Sequence, residues 1–292
     1  MPERSAAWSG ASMGALVDGW RALLLAGRFL TRWPFPASAD APPALYGHAA
    51  PFYPVIGLLI GAVLSGLGLA AQALGVLPAG APALAVLLLV LWVWSTGALH
   101  LDGLADCADA WVGGLGSRER TFAILKDPHI GAMGVATLVL NLLAKLGALV
   151  TLLGGVTATL PAPAVSGAWL AALLWVPVLG RAQILWLALT TPAARPEGLG
   201  AALGAHLPRR AAWLAAALGS AAALAGIGVA SVPAAAAAAG TTLLVLFAWR
   251  GSLLRRLGGY TGDGIGALVE LTETLALLAV ALVAAVPAAG AG

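Results

Sequence analysis

The residues that could do chemistry are few and grouped, because only twelve Asp and Glu occur among 292 residues. The densest group is the segment HLDGLADCAD at positions 100–109. On a helix, Asp102, Asp106 and Asp109 would share one face over roughly 10 Å. Three like charges this close repel, which favours a bound divalent cation such as Mg²⁺, Mn²⁺ or Ca²⁺ over the simpler alternative, a solvated helix end. His100 is equally typical of a ligand, a base or an interfacial residue.

A second segment mixes cations with acids. It begins with Arg118 and Arg120 and continues to KDPHIG at positions 126–131. Lys126 can bind a phosphoryl group as a point charge, and Asp127 can join a metal shell. Two plainer alternatives stay open. An Asp before Pro is typical of a helix N-cap, and the arginines could serve only to orient the chain in a membrane.

A third segment is the glycine-rich turn GGYTGDG at positions 258–264. Its amides could meet an anion and Asp263 a metal, although Asp263 could also be an N-cap. The segment ARPEGLG at positions 194–200 carries Arg195, which could reach the same cavity. We therefore expect an anion to bind where these segments meet.

Two further acids, Glu270 and Glu273, fall inside an apolar stretch. Glu270 lies seven residues beyond Asp263, on the same helical face and about 10 Å away. Lys145 and Arg181 are the cations placed to pair with these acids, and charges within a membrane usually face a bundle interior or a polar cavity. The pattern predicts either internal ion pairs or contacts from Lys145, Arg181 and Glu270 to a substrate.

Taken together, aspartates, cations and glycine-rich turns favour phosphoryl transfer. In such reactions catalysis is mostly positioning and charge neutralisation by a metal ion and cations. The sequence contains no Walker motif, which argues against nucleotide hydrolysis as an energy source.

The composition defines the surroundings in which these segments must be positioned. The chain is 61% hydrophobic and 9% charged with a mean hydropathy of +0.95, whereas soluble domains are roughly a quarter charged. This excludes a soluble enzyme. The single cysteine, Cys107, excludes an internal disulfide, and a net charge of +3 is too small to indicate a nucleic-acid partner. The oligomeric state is not indicated.

We predict one integral membrane domain over residues 1–292, an all-α bundle of about seven transmembrane helices, with six possible. A helix needs roughly 20 apolar residues to cross a bilayer core. The stretches of about that length are 52–74, 83–99, 131–153, 166–189, 211–230, 234–249 and 264–286. The alanine-rich sixth stretch is the weakest of the seven.

The connecting segments predict the orientation. Segments 75–82, 154–165 and 231–233 carry no charge, whereas the alternate segments and the N-terminus are rich in arginine. Because short cytoplasmic loops carry the excess of Lys and Arg, we place the N-terminus and a catalytic loop over residues 100–130 in the cytoplasm. Residues 12–30 combine helical apolar spacing with interrupting charges, which predicts an amphipathic helix at the membrane interface.

Three of these segments resemble the cobalamin synthase family, adenosylcobinamide-GDP ribazoletransferase. They are HLDGLAD at 100–106, KDPHIG at 126–131 and TGD at 261–263. Supporting matches extend the resemblance over nearly the whole chain. They are FLTRWP at 29–34, Lys145, AR at 194–195, GLG at 198–200 and Glu270.

The resemblance implies a Mg²⁺-dependent enzyme of the inner membrane, active at its cytoplasmic face. The reaction joins adenosylcobinamide-GDP to α-ribazole, or to its 5′-phosphate, and releases GMP. The expected metal ligands are Asp102, Asp106, Asp109 and Asp127. The expected catalytic residues are these four with Lys126 and Asp263. Substrate contacts are expected from His100, Arg118, Arg120, Lys145, Arg181, Arg195, Thr261 and Glu270.

Two other functions fit less well. A CDP-alcohol phosphotransferase also places aspartates at helical intervals, but it needs Ala-Arg soon after Asp-Gly, where this chain has Leu104-Ala105-Asp106. A secondary transporter would use the charges within the spans to carry ions. The absence of charge from the predicted outer loops argues against a two-sided pathway.

Overall fold

The computed structural model describes residues 4–36, 41–155 and 163–286. In these ranges the chain forms twelve α-helices, one 3₁₀ turn at Ala50–Phe52 and no strand, which confirms the all-α prediction. The helices are α1 Arg4–Leu30, α2 Pro43–Ala49, α3 Tyr53–Ala73, α4 Ala81–Thr96, α5 Leu99–Gly113, α6 Arg118–Ile124, α7 Ala132–Gly154, α8 Pro163–Thr190, α9 Leu199–His206, α10 Arg209–Ala230, α11 Val232–Leu257 and α12 Gly262–Ala285.

Six segments among the described residues are long and apolar enough to cross a membrane. They are Ala44–Ala73, which joins α2 to α3, and the helices α7, α8, α10, α11 and α12. The pair α4 and α5 gives a seventh only when both are counted as one bent span. The prediction of about seven spans, with six possible, is confirmed, but the weakest span is the second rather than the alanine-rich sixth.

The break between α4 and α5 turns the chain by 86°. Gly97 and Ala98 both take positive φ angles, 60° and 59°. Ala98 is therefore held in a left-handed conformation that residues with a Cβ rarely adopt. Because α5 continues to Gly113 and α6 follows, the predicted loop over residues 100–130 is largely helical.

Helix α8 lies at the centre of the bundle, with 78% of its apolar window buried. Two glycines of α3 make this packing possible, since a Cβ at Gly57 would lie 2.5 Å from the carbonyl oxygen of Pro177, and one at Gly61 would collide with that of Leu174. Small residues let helix backbones approach closely in membranes. The core of the molecule is therefore built on α8.

Helix α1 packs on the outside of this bundle, against α2 and α3. Its C-terminal half buries Ala22, Leu25 and Ala26, while Trp20 on another face is 60% exposed. Helix α1 covers residues 12–30 and extends further, from Arg4 to Leu30, and its place at a membrane interface stays a prediction.

Candidate active site

The site is centred where α5 crosses the start of α12. A Cβ at Gly103 would lie 2.7 Å from the carbonyl oxygen and 3.0 Å from the Cα of Asp263, and one at Gly266 would lie 3.3 Å from the Cα of His100. The two helices are thus in backbone contact, which only glycine permits here. This contact joins the first and third segments singled out in the sequence, and it places Asp106 within electrostatic reach of Asp102 and Asp263.

A cavity of about 180 Å³ opens at this crossing and is called the carboxylate cavity below. Asp102, Asp263 and the buried His100 lie along it. The Nδ1 atom of His100 has no hydrogen-bond partner among the described residues. The remaining walls of the carboxylate cavity come from α1, the α2–α3 region, α5, α8, α9 and α12. They are Phe29, Leu30, Tyr46, Tyr53, Leu99, Gly103, Ile184, Gly200, Leu203, Gly262, Ile265 and Gly266.

Sequence reasoning missed the aromatic wall of this cavity. Phe29 lies edge-to-face with Tyr46, at 6.0 Å between ring centroids, and stacks on Tyr53 at 6.2 Å. These rings come from helices far from the acidic segments in sequence. The sequence signal for this aromatic wall was the segment FLTRWP at 29–34, one of the supporting matches to the family.

Asp109 turns away from this cavity and caps α7. Its Oδ2 accepts a hydrogen bond from the backbone N–H of Gly131 at 2.7 Å, and its Oδ1 accepts one from Gly134 at 2.9 Å. A Cβ at Gly131 or Gly134 would collide with this carboxylate. The glycine that ends the KDPHIG segment is therefore explained by a partner on α5.

Asp127 is exposed in the loop between α6 and α7 and is not a helix N-cap. Its Oδ1 accepts a hydrogen bond from the backbone N–H of His129 at 3.0 Å, and Nδ1 of the same residue lies 2.7 Å away. These hydrogen bonds hold the pKa of Asp127 below its ordinary value. Lys126 is exposed beside it.

The N-cap of α12 is Thr261, whose Oγ1 accepts from the backbone N–H of Gly264 at 3.1 Å. Asp263 is therefore not the N-cap, which was the alternative to a role as metal ligand. Thr261, expected to contact a substrate, has this structural role.

Two arginines converge on Phe122 of α6. The guanidinium of Arg195 lies 4.6 Å from the ring centroid and that of Arg118 lies 5.5 Å away. Arg195 also lies within electrostatic reach of Asp263, and its buried Nε has no partner among the described residues. The structure thus places Arg195 beside Asp263, with Arg118 on the same ring, whereas Arg120 is exposed on α6.

The position of Arg195 is fixed by pairing between two loops. The backbone N–H of Ala194 donates to the carbonyl of Tyr260 at 2.9 Å, and that of Tyr260 donates to Pro192 at 2.9 Å. A Cβ at Gly259 would collide with the carbonyl oxygen of Pro192. The hydroxyl of Tyr260 donates to the carbonyl of Gly200 at 3.1 Å. Gly259 therefore permits the close backbone approach of these two loops.

The charges inside the bundle pair with one another. Nζ of Lys145 lies 2.7 Å from Oε2 of Glu270 and 3.1 Å from Oε2 of Glu273. Arg181 binds the other oxygen of Glu273, and Asn141 donates to Glu270 at 3.1 Å. All four charged side chains are at most 5% exposed. Internal pairing, one of the two alternatives, is present.

The predicted set of four carboxylates does not surround one point. Among the residues the structure describes, no three His, Cys, Asp or Glu side chains are grouped closely enough to hold a metal ion. Asp109 and Asp127 were expected to be ligands, but their oxygens bond to α7 and to His129. The donors near the α5–α12 crossing are Asp102, Asp106 and Asp263.

Comparisons with known proteins cover most of the chain. The family model described as cobalamin-5-phosphate synthase matches residues 22–281. The chain is 49% identical over 270 residues to a protein of Pseudomonas paraeruginosa, strain DSM 24068 / PA7, named adenosylcobinamide-GDP ribazoletransferase, covering 91% of this chain and 99% of that protein. A protein of Pseudomonas fluorescens, strain Pf0-1, with the same name is 43% identical over 263 residues, or 89% and 98% of the two chains. No solved structure matches the chain.

Proposed function

The chain belongs to the cobalamin-5-phosphate synthase family and is a transferase that joins adenosylcobinamide-GDP to ribazole, and we propose that it uses Mg²⁺ held between α5 and α12. The observation that supports this site is the backbone contact at Gly103, which brings Asp263 to the carboxylates of α5. In the proposed reaction a ribose hydroxyl of α-ribazole, or of its 5′-phosphate, attacks the phosphorus attached to cobinamide. A new O–P bond forms, and the bond to GMP breaks.

Asp102 and Asp106 fit a magnesium site that faces Asp263 of α12, since Mg²⁺ is usually bound through one or two carboxylates, waters and substrate phosphates rather than by a protein cage. This preference agrees with a site where the described side chains alone do not form a cage. When bound, Mg²⁺ would neutralise charge on the diphosphate and on the departing GMP.

The cations beside Phe122 complete the proposed diphosphate site. Arg195 has an unpartnered buried Nε and lies near Asp263, and guanidinium groups bind phosphate oxygens in bidentate fashion. Arg118 shares the same ring from the exposed side. Lys126 and Arg120 lie at the surface of the same region and would attract the anionic substrate.

The proton of the attacking hydroxyl needs an acceptor inside the carboxylate cavity. Asp263 and Asp102 both line this cavity, and we assign the acceptor role to Asp263 because Asp102 lies beside Asp106 on the same face of α5. Deprotonation raises the nucleophilicity of the hydroxyl as it approaches phosphorus. His100 would donate or accept a hydrogen bond to the substrate through its unpartnered Nδ1.

Lys145, Arg181 and Glu270 have a positioning role in this proposal rather than a binding one. Their pairing joins α7 and α8 to α12, which carries Asp263 at its first turn. Buried charges that are mutually paired fix the register of packed helices.

The proposed location is the inner membrane with a cytoplasmic active site and N-terminus. Arginines cluster at the start of α10, as Arg209 and Arg210, and at the end of α11, as Arg255 and Arg256. The positive-inside rule places these ends in the cytoplasm. Family membership favours this transferase over a CDP-alcohol phosphotransferase or a transporter.

The test is an assay of the purified protein in phospholipid vesicles with adenosylcobinamide-GDP and α-ribazole. We expect GMP and the joined corrinoid in equal amounts, only with both substrates and only with Mg²⁺. Absence of product with both substrates and Mg²⁺ would refute the reaction. Equal turnover after chelation of divalent ions would refute the metal site alone.

A further inference from the structure

A second cavity of about 280 Å³ adjoins the carboxylate cavity, and we call it the arginine cavity. The two cavities share Phe29, Tyr46 and Leu99 in their walls. The described residues that line the arginine cavity include two arginines and two threonines but no carboxylate: Leu25, Arg28, Phe29, Thr31, Arg32, Tyr46, Thr96 and Leu99. It is therefore a cationic space directly beside an anionic one.

The position of Arg32 is coupled to α5. Its backbone N–H donates to the carbonyl of Ser95 at 2.8 Å, and its side chain packs where a Cβ at Gly97 would collide with it. Gly97 is the residue at which α4 ends and the chain turns into α5. Arg32 is thus attached to the turn from which α5 begins.

Resting on the proposed function, we propose that the arginine cavity binds the 5′-phosphate of the acceptor. The family is described as cobalamin-5-phosphate synthase, so its product keeps a phosphate that takes no part in the reaction. That phosphate needs a site apart from the diphosphate. A monoester carries nearly two negative charges at neutral pH, and the guanidinium of Arg32, which lines this cavity, can bind two of its oxygens at once without a metal ion.

The shared aromatic wall connects this phosphate site to the chemistry. Phe29 and Tyr46 border both cavities and offer ring surfaces to the aromatic base of ribazole. With the base on this wall and the phosphate in the arginine cavity, the ribose lies between the two cavities. Its hydroxyl then faces Asp102 and Asp263.

Arg32→Gln tests the assignment through a comparison of two acceptors. We would measure kcat/KM for α-ribazole 5′-phosphate and for α-ribazole, at saturating adenosylcobinamide-GDP and Mg²⁺. The ratio of kcat/KM for the phosphorylated acceptor to kcat/KM for the unphosphorylated one should fall about ten- to a hundredfold, which corresponds to the loss of one charged hydrogen bond. The matched control is Arg21→Gln, on α1, whose side chain is 67% exposed and whose ratio should not change.

Arg28→Gln repeats the test about one turn earlier on α1, in case the first variant does not fold. An unchanged acceptor ratio in a folded variant of either arginine would overturn the proposal. So would a raised KM for adenosylcobinamide-GDP with no change in that ratio, since it would place the diphosphate in this cavity. A wild-type protein that joins neither acceptor would instead refute the proposed function.

Discussion

Replacing Lys145 by Met should destabilise the protein strongly, because this lysine bonds to two buried carboxylates. It lies 2.7 Å from Glu270 and 3.1 Å from Glu273 and is 1% exposed. Arg181 still pairs with Glu273, but among the described residues Glu270 keeps only the amide of Asn141 as a hydrogen-bond partner. Removing one partner of a buried ion pair costs about 3–5 kcal/mol. At roughly 2–4 °C per kcal/mol, Tm in detergent should fall by roughly 6–20 °C.

The double variant Lys145→Met/Glu270→Gln distinguishes a charge effect from lost packing. It leaves one cation and one anion, Arg181 and Glu273, so it should unfold at a higher temperature than Lys145→Met alone. The coupling between contacting sites is expected at about 0.5–3 kcal/mol. Lys126→Met, at an exposed lysine, is the control and should stay within about 0.5 kcal/mol of wild type. Strictly additive effects of the two substitutions would refute the argument from uncompensated charge.

Three further outcomes are expected. Asp106→Ala should lower GMP release by at least about a hundredfold while the protein still inserts, and Asp106→Ala with full turnover would remove this residue from the site. Asp109→Ala should lower the free energy of unfolding by about 1–2 kcal/mol, as loss of a helix cap does; an altered Mg²⁺ requirement measured in the turnover assay would instead show a metal ligand. Gly103→Ala should cost about 1–3 kcal/mol and lower kcat, because its Cβ would lie 2.7 Å from the backbone of α12. Gly147→Ala, with no heavy atom within 4 Å, should do neither.

Most of the helical framework could be predicted from the sequence, because a span is a local property. Apolar length and flanking charge placed α7 at 131–153, close to the observed Ala132–Gly154, and α12 at 264–286, close to Gly262–Ala285. The pairing of Lys145 with Glu270 and Glu273 was equally accessible, since few charges lie within the spans and each needs a partner.

What could not be predicted depends on contacts distant in sequence. Gly97 is typical of a helix C-terminus, but nothing local indicates the turn at Ala98, because Ala is the strongest helix former and here it adopts a positive φ. Asp127 and Asp263 both had the pattern of N-caps, yet the caps come from Asp109, 22 residues before Gly131, and from Thr261. The sequence showed which residues are able to cap a helix, whereas tertiary packing determines which of them does so.

The contacts among α5, α7 and α12 form a closed circuit. Asp109 of α5 holds the first turn of α7, Lys145 of α7 holds Glu270 of α12, and α12 begins against Gly103 of α5. Sliding any one of these helices disrupts two of the three attachments at once.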